Sequence, residues 1–183
     1  MADPEPVRVV AHSPTWIFAR QTAVAEIRAA LGAMSRRIDH VGSTAVPVLA
    51  AKPVRDVQVS VGDLEPLDAY RLPLESLGYG FRPDNPDRTQ RYFREAPGAR
   101  RTHIHVRVAG RFSEQAASLF RDFLPSNADE AARYAALKVE LAERYGLGCA
   151  QYTAAKAPFI WRTLALADAW AHATGWCPGP PDA

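Results

Sequence analysis

The chain has 183 residues, of which 48% are hydrophobic and 23% are charged, and this length and composition suit one globular domain. Intrinsic disorder, collagen and a long coiled coil are excluded. The 22 Lys and Arg residues nearly balance the 20 Asp and Glu residues, and a formal net charge of +2 does not indicate a nucleic-acid or membrane partner.

The two ends of the chain are rich in proline and are predicted to be disordered over residues 1–7 and 176–183, which leaves a domain over residues 8–174. No stretch approaches the roughly 18 uninterrupted apolar residues of a membrane span, and the first residues lack a signal-peptide pattern. Two isolated cysteines, Cys149 and Cys177, are typical of reduced thiols. We therefore expect a cytoplasmic protein without a membrane partner.

The first third of the sequence predicts a helix followed by two strands. Apolar residues at helical spacing run from Pro14 to Leu31, with Ser13 as the capping residue. Residues 35–41 alternate as a short strand does. Residues 54–61 also alternate, so that one face of this strand is apolar and the other face carries Asp56.

The rest of the sequence predicts a helix, a strand, a hairpin and then a helical region. The first helix and the three short strands are predicted over 67–77, 79–82, 90–95 and 102–108. Three C-terminal helices are predicted over 113–124, 128–145 and 151–174, with Ser113 and Asn127 as capping residues of the first two. The fold class is therefore α+β, with a mixed β-sheet, an N-terminal helix and a C-terminal set of three helices.

A glycine and two hydroxyl side chains follow the first predicted strand, at Gly42, Ser43 and Thr44. A glycine lets a phosphate approach backbone N–H groups, and the two hydroxyls can donate to phosphate oxygens. Taken alone, the tripeptide is more typical of an ordinary turn. An aspartate 12 residues later in a valine-rich strand, Asp56, favours a phosphate site.

Glycine-serine, a spacer and an aspartate in a strand together resemble the signature of the polymerase-β-like nucleotidyltransferase superfamily. That resemblance implies paired carboxylates that hold Mg²⁺, which bridges a triphosphate and activates an acceptor hydroxyl. Gln58 stands at the position of the second carboxylate in this chain. Its neutral amide argues against a two-metal site built in the usual way.

The stretch from His40 to Asp56, His-Val-Gly-Ser-Thr-Ala-Val-Pro-Val-Leu-Ala-Ala-Lys-Pro-Val-Arg-Asp, resembles the core signature of the GrpB family, which is assigned to the nucleotidyltransferase fold. Further segments resemble family blocks in the same order, at 103–106, 120–124, 134–138 and 152–160. The resemblance covers roughly residues 8–172 and implies a nucleotide-binding protein with a sheet of the nucleotidyltransferase type. Val48 and Arg55 depart from the pattern, which more often has glycine and an aliphatic residue there.

Two histidines, His103 and His105, lie two residues apart in a predicted strand and therefore share a face. The resemblance implies that this strand lies beside the strand of Asp56. The three side chains are then candidates for catalysis or for a divalent metal (Mg, Mn or Zn), and the imidazoles favour Zn²⁺, Mn²⁺ or Fe²⁺ over Mg²⁺. One histidine could instead act as a general base. A half-buried pair hydrogen-bonded to backbone or to Asp56 is the structural alternative.

Arginine is concentrated between Arg82 and Arg111, where eight arginines and three acidic residues leave this segment at net +5. Guanidinium groups bind phosphates and carboxylates in bidentate geometry, and this surplus suits a small anionic ligand. Arg91 and Arg101 are the preferred candidates, while solvated hairpin arginines are the alternative. The few aromatic residues nearby do not favour a nucleic-acid platform.

Lysine is rare, with only Lys52, Lys138 and Lys156 in the chain. Lys52 lies near the glycine-serine loop, and Lys156 shares a helix face with Tyr152, four residues before it. Two roles explain Lys156 equally well. It could bind a phosphate, or it could bury its aliphatic stem and leave its ammonium group in solvent.

The leading hypothesis is a nucleotide-binding enzyme of the GrpB type that transfers a nucleotidyl group, most simply AMP from ATP, to a small and anionic acceptor. Asp56, His103 and His105 would be the catalytic and metal-binding residues. The predicted binding residues are His40, Gly42, Ser43, Thr44, Lys52, Arg55, Gln58, Arg91, Arg101, Tyr152 and Lys156.

Two alternatives come from other classes. One is a non-catalytic nucleotide-binding, phosphate-binding or chaperone-like module, since the family also occurs as an appendage to dephospho-coenzyme A kinases. The other is a metal enzyme that uses the Asp/His/His set for different chemistry. None of the three hypotheses has a nucleic-acid duplex as partner, and the sequence fixes neither the acceptor nor the oligomeric state.

Overall fold

The chain folds around one five-stranded sheet in the computed structural model, which describes residues 6–182 except for the side chains of residues 17–20. The strands are β1 (Ser35–Val41), β2 (Arg55–Val61), β3 (Tyr79–Phe81), β4 (Gln90–Glu95) and β5 (Thr102–Val108). Their order across the sheet is β1-β2-β5-β4-β3. Only β2 and β5 pair in parallel within the described residues, and the other neighbours are antiparallel. The predicted α+β fold with a mixed sheet is confirmed.

The helices are α1 (Thr15–Leu31), α2 (Asp68–Ser76), α3 (Phe112–Phe123), α4 (Ala128–Arg144), α5 (Cys149–Ala155) and α6 (Ala157–Thr174). The single helix predicted over 151–174 is therefore divided at Lys156. Pro158 explains the division, because its nitrogen has no hydrogen to donate to the carbonyl of Ala154. None of the helices in residues 6–182 is both long enough and apolar enough to cross a membrane.

The predicted helix caps differ from the observed helix starts. Ser113 lies inside α3, which begins after Arg111. Asn127 does precede α4, but its side-chain amide donates to the carbonyl of Phe123 at 3.0 Å and makes no bond to the first turn of α4. The prediction for Ser113 is therefore wrong, while Asn127 occupies the predicted cap position of α4 without the capping hydrogen bond.

The two faces of the sheet are covered by different helices. Because side chains alternate along a strand, the valines of β2 point to one face, where they form a buried core with Ile104 and Val106 of β5 and with residues of α1 and α2. Asp56, Gln58 and Ser60 point to the opposite face. There Gln58 and Ser60 bond to Glu114 of α3. The sheet thus has an apolar face and a polar face.

The C-terminal helices have a core of their own above the polar face. Phe123 and Tyr134 pack there with Ala167 of α6, and Val46 and Leu49 reach into the same cluster from the segment between β1 and β2. This second core holds the helices together through contacts with one another and with that segment. It fixes the position of the β1–β2 connection over the sheet.

The end of the chain differs from the predicted disorder. The N–H of Asp182 donates to the carbonyl of Ile38 at 3.0 Å, and the carboxylate of Asp182 accepts from the N–H of His40 at 2.7 Å. Residues 176–182 therefore lie along β1, because bonds to the strand edge hold a segment whose own sequence cannot form a helix.

The beginning of the chain also differs in part. Val7 is buried, and its N–H donates to the carbonyl of Gly146 at 2.7 Å. Residues 1–5 and residue 183, which also belong to the predicted disordered ends, lie outside the described residues.

Candidate functional site

A cavity of about 710 Å³ lies over the polar face of the sheet. Its floor includes Asp56 of β2, His103 and His105 of β5, and Tyr92 and Arg94 of β4. The β1–β2 connection and the α5 region form its walls. The cavity brings together these residues predicted from the sequence: Ser43, Thr44, Lys52, Asp56, His103, His105, Tyr152 and Lys156.

The carboxylate of Asp56 is held by two imidazoles. Asp56 pairs with His103 across the parallel strands, and its Oδ1 lies 3.5 Å from Nδ1 of His103 and 3.1 Å from Nε2 of His105. The side-chain amide of Gln90 lies 2.8 Å from the other ring nitrogen of His105 and fixes the orientation of that ring. The predicted neighbourhood of the aspartate and the two histidines is thus present.

Burial and hydrogen bonding act in opposite directions on this cluster. Burial alone would raise the pKa of Asp56, but the hydrogen bonds from His103 and His105 outweigh it, and the pKa lies well below its ordinary value. Burial lowers the pKa of His105 by more than the neighbouring carboxylate raises it. Near neutral pH the cavity floor therefore holds an ionised carboxylate beside a neutral imidazole.

Gly42 lets the β1–β2 connection touch that carboxylate. Its φ is +70°, a conformation that side chains disfavour, and a Cβ added there would lie 2.6 Å from Oδ2 of Asp56. Any larger residue would displace the connection or the carboxylate. The glycine is thus required by the approach to Asp56.

His40 supports the same connection from inside the protein. It is buried, and its Nε2 lies 2.8 Å from Oγ1 of Thr44, whose hydroxyl donates to the carbonyl of Val54 at 3.0 Å. A hydroxyl has one hydrogen, so Nε2 of His40 is the donor in the first bond. These two predicted binding residues use their hydrogen-bonding groups to shape the connection. Thr44 and Ser43 both line the cavity, and Ser43 also bonds to Tyr134.

All three lysines of the chain line this cavity. The Nζ atoms of Lys156 and Lys52 lie 4.6 Å and 5.2 Å from the centroid of the Tyr152 ring. The Nζ of Lys138 lies 4.5 Å from the centroid of the Tyr134 ring. Two tyrosine rings thus hold the three ammonium groups at one end of the cavity.

Burial, and second to it a neighbouring ammonium group, lowers the pKa of two of these lysines. Burial, together with the charge of Lys156, lowers the pKa of Lys138 to about 7, although its ammonium donates to the carbonyl of Ala50. Burial and the charge of Lys52 lower the pKa of Lys156. An anion bound among these groups would favour their charged forms. The cavity therefore suits a phosphate group at its lysine end.

The position of the second carboxylate is occupied by a clamped amide. Nη1 of Arg107 donates to Oε1 of Gln58 at 2.7 Å, and Nε2 of Gln58 donates to the carbonyl of Glu114 at 3.2 Å. Nowhere in residues 6–182 do three or more His, Cys, Asp or Glu side chains form a group that could hold a metal ion. Asp56, His103 and His105 form a hydrogen-bonded cluster, and the divalent metal expected on them stays a prediction.

Three predicted binding arginines lie away from the cavity. Arg55 is on the opposite face of β2 and donates to the hydroxyl of Thr102 at 2.6 Å. Arg91 donates to a glutamate of the β2–α2 connection at 3.0 Å, and Nε of Arg101 lies 3.7 Å from the carboxylate of Glu95. The structure therefore assigns these arginines to contacts outside the candidate site.

Several cavity residues were missed by the sequence analysis. Gln90, Tyr92 and Arg94 alternate along β4 and so share the face of His103 and His105. That alternation was visible in the sequence, but the pairing of β4 with β5 was needed to use it.

Lys138 was noted for its rarity, but it was not assigned to the site. It lies four residues after Tyr134 on α4, so the two side chains share a helix face. This spacing indicated that Tyr134 and Lys138 lie together. Only the packing of α4 near the β1–β2 connection shows that they belong to the site.

Comparison with known proteins supports the same reading of the fold. A family model described as GrpB protein matches residues 6–165. A UPF0157 protein of Pseudomonas aeruginosa is 40% identical in an alignment of 174 positions that covers 91% of this chain and 69% of that protein. A dephospho-CoA kinase of Mycolicibacterium paratuberculosis is 33% identical in an alignment of 198 positions that covers 94% of this chain and 49% of that protein. The chain thus spans about half the length of the kinase that it matches.

Solved structures give the type of the fold. GrpB from Enterococcus faecalis superposes with a TM-score of 0.79 at 28% identity, covering 87% of this chain and 96% of that chain. A cytoplasmic RNA terminal U-transferase superposes with a TM-score of 0.53 at 15% identity, covering 74% of this chain and 43% of that chain. The sheet of the nucleotidyltransferase type is confirmed at the level of the fold.

Proposed function

The chain belongs to the GrpB family, and from this premise we propose that it binds a nucleotide over Asp56 and transfers a nucleotidyl group to a small acceptor. One observation carries the proposal. On a fold of the nucleotidyltransferase type, a glycine-serine connection, an ionised carboxylate and three lysines line the same cavity. Each of these groups has a task in the transfer of a nucleotidyl group.

The charge of the cavity supports a nucleotide as the ligand. Its basic side chains are Lys52, Lys138, Lys156 and Arg94, and the aspartates that line it are Asp56 and Asp87. A triphosphate at the lysine end would neutralise the ammonium groups. It would also lie within reach of Ser43, which lines the same cavity. Lysine acts as a point charge toward phosphates, and the charge that develops on the leaving group would be stabilised there.

The proton acceptor in this proposal is His103. Its Nδ1 faces the ionised Asp56, and its Nε2 is buried without a hydrogen-bond partner among the described residues. An imidazole that donates Nδ1–H to a carboxylate keeps a lone pair on Nε2 and gains stabilisation when it becomes charged. Asp56 would thus orient the ring and stabilise the imidazolium.

The reaction follows from these roles. The acceptor oxygen attacks the α-phosphorus, and an oxygen–phosphorus bond forms as the bond to the β-phosphate breaks. Pyrophosphate leaves with the electron pair, and the hydroxyl proton passes to Nε2 of His103. The lysines hold the pyrophosphate while its charge increases.

Labelled ATP tests the proposal. The protein is incubated with α-labelled or γ-labelled ATP and a pool of small hydroxyl compounds, with added Mg²⁺ or with chelator. We expect label to move to a small molecule from α-labelled ATP alone, and Asp56→Asn to slow this transfer at least about 100-fold. The matched control is Asp68→Asn, an exposed carboxylate on α2. Unchanged transfer in Asp56→Asn, or no ATP binding by calorimetry, would overturn the proposal.

A non-catalytic phosphate-binding module is the second candidate function. The pairing of Gln58 with Arg107 favours it, because a cation and an amide stand where related enzymes have a carboxylate. In this case ATP binds to the wild type and binds more weakly to Lys156→Gln, while no label moves from α-labelled ATP. Calorimetry and label transfer on the same two proteins therefore separate the two functions.

A further inference from the structure

A second cavity of about 320 Å³ adjoins Asp56, and we propose that it binds the acceptor, a small carboxylic acid that carries a hydroxyl group. The role of this ligand as an acceptor rests on the proposed function, but the binding of the acid itself does not require ATP. Its volume is at the small end of the range for small-molecule sites.

The two cavities meet at Asp56, and a hydroxyl in the smaller one would reach past this carboxylate to Nε2 of His103, which lines the larger one. Ser43, Asp56, His105 and Lys156 line both of them. A nucleotide in the larger cavity and a hydroxyl compound in the smaller one would therefore approach the same carboxylate from two sides. This is the arrangement that a transfer between two substrates requires.

Much of the wall of the second cavity is apolar, with Ser113 and Tyr134 among its polar residues. Ala116, Ala117 and Phe120 lie on one face of α3, and Ile160 and Leu164 lie four residues apart on α6. The two alanines leave the space that larger side chains would fill. A ligand here is expected to have a mostly apolar body.

The floor carries a guanidinium group with an unused donor. Nη1 of Arg107 is bonded to Gln58, while its Nε is buried and has no hydrogen-bond partner among the described residues. A buried donor without a partner is unfavourable, and a carboxylate accepts from a guanidinium with two oxygens. Burial also lowers the pKa of Arg107, which a bound anion would offset. The ligand is therefore a carboxylic acid, with its hydroxyl directed to Asp56.

Ligand-observed NMR on the full chain tests this inference without ATP. The probes are 3-hydroxybutyrate and 4-hydroxyphenylacetate at millimolar concentration, and their primary amides are the uncharged controls. We expect at least one of the acids to bind, and its amide to bind about 10- to 100-fold more weakly. Arg107→Gln should abolish this preference, and Arg107→Lys should keep part of it.

A cavity-filling variant tests whether the probes bind in the second cavity. Ala117→Leu fills the space next to Phe120 and should remove binding of the acids while ATP binding is unchanged. Ala132→Leu, on the exposed side of α4, is the matched control and should bind the acids as the wild type does. This pair keeps the test valid even if the Arg107 variants fold poorly.

The outcomes separate this inference from the proposed function. Acids and amides that bind equally, acids that fail to bind, or displacement of the acids by adenosine would overturn the acid site. Label transfer from ATP that persists in those cases leaves the proposed function standing. Acid binding that depends on Arg107, in a protein that neither binds ATP nor transfers label, supports the acid site and overturns the proposed function.

Discussion

The apolar and polar faces of the sheet are formed by alternate residues of the same strands, yet one face forms the core and the other lines the candidate site. On the apolar face, Val57 and Val59 pack into the core under α1 and α2. On the polar face, Asp56 borders two cavities enclosed by the C-terminal helices. We therefore expect substitutions at adjacent residues of one strand to have different effects. Those on the apolar face should lower stability, and those on the polar face should weaken ligand binding.

The largest expected effect is on the apolar face. Phe93 is fully buried in β4, and Phe93→Ala should lower the free energy of unfolding by about 3 to 5 kcal/mol because it leaves a cavity. Its neighbour Arg94 lies on the polar face, and Arg94→Gln should cost less than about 1 kcal/mol while weakening ATP binding. Urea denaturation and calorimetry measure both. Equal losses of stability in the two variants would break the distinction between the faces.

The next effect is expected where the β1–β2 connection meets the polar face. Gly42→Ala should cost about 1 to 2 kcal/mol from its positive φ, and more from the contact of the new Cβ with Asp56. Gly98→Ala is the matched control, since φ is +80° there and a Cβ would meet nothing within 4 Å. Denaturation of both variants isolates the contact. Equal losses in the two variants would show that the approach to Asp56 does not constrain the residue at position 42.

The smallest effect concerns pH. The pKa of Lys138 is lowered to about 7, so this lysine is mostly neutral above that pH, and a bound phosphate favours its charged form. ATP binding should take up a proton at pH 8 and weaken by up to about 10-fold as the pH rises from about 6 to about 9. Lys138→Met should remove the proton uptake, while Arg133→Gln, exposed on the same helix, should keep it. Calorimetry in buffers of different ionisation enthalpy measures the proton uptake. If Lys138→Met takes up as many protons as the wild type, Lys138 is not the group that is protonated when ATP binds.

Local patterns predicted the strands well, because the alternation of side chains is a property of each segment alone. Thr102–Val108 and Ser35–Val41 are observed with the predicted bounds. The adjacency of Asp56 and His103 came only from the family resemblance, since a parallel pair joins segments that are far apart in the chain. Sequence pattern therefore identified the faces, while the site depended on the family.

The arginines illustrate how electrostatic reasoning goes astray without geometry. The surplus of arginine in the hairpin region favoured Arg91 and Arg101, but alternation already places Arg91 on the face of Phe93 rather than on the face of Tyr92. Arg107, the arginine that borders the second cavity, was only one of the eight in the segment. Its significance depends on α3 and α6, whose packing no local pattern reveals.

The C-terminal residues 176–182 have a consequence for how the molecule behaves in a crowded solution. An edge strand presents unpaired backbone groups to which another chain can add, and β1 is one edge of this sheet. Asp182 occupies the carbonyl of Ile38 and the N–H of His40, and Arg37 donates to the carbonyl of Gly179. Because its prolines lack N–H groups, this segment cannot pass a ladder of hydrogen bonds on to a further strand. We therefore expect it to end the hydrogen-bonded ladder of the sheet at β1 and to oppose edge-to-edge association of two molecules.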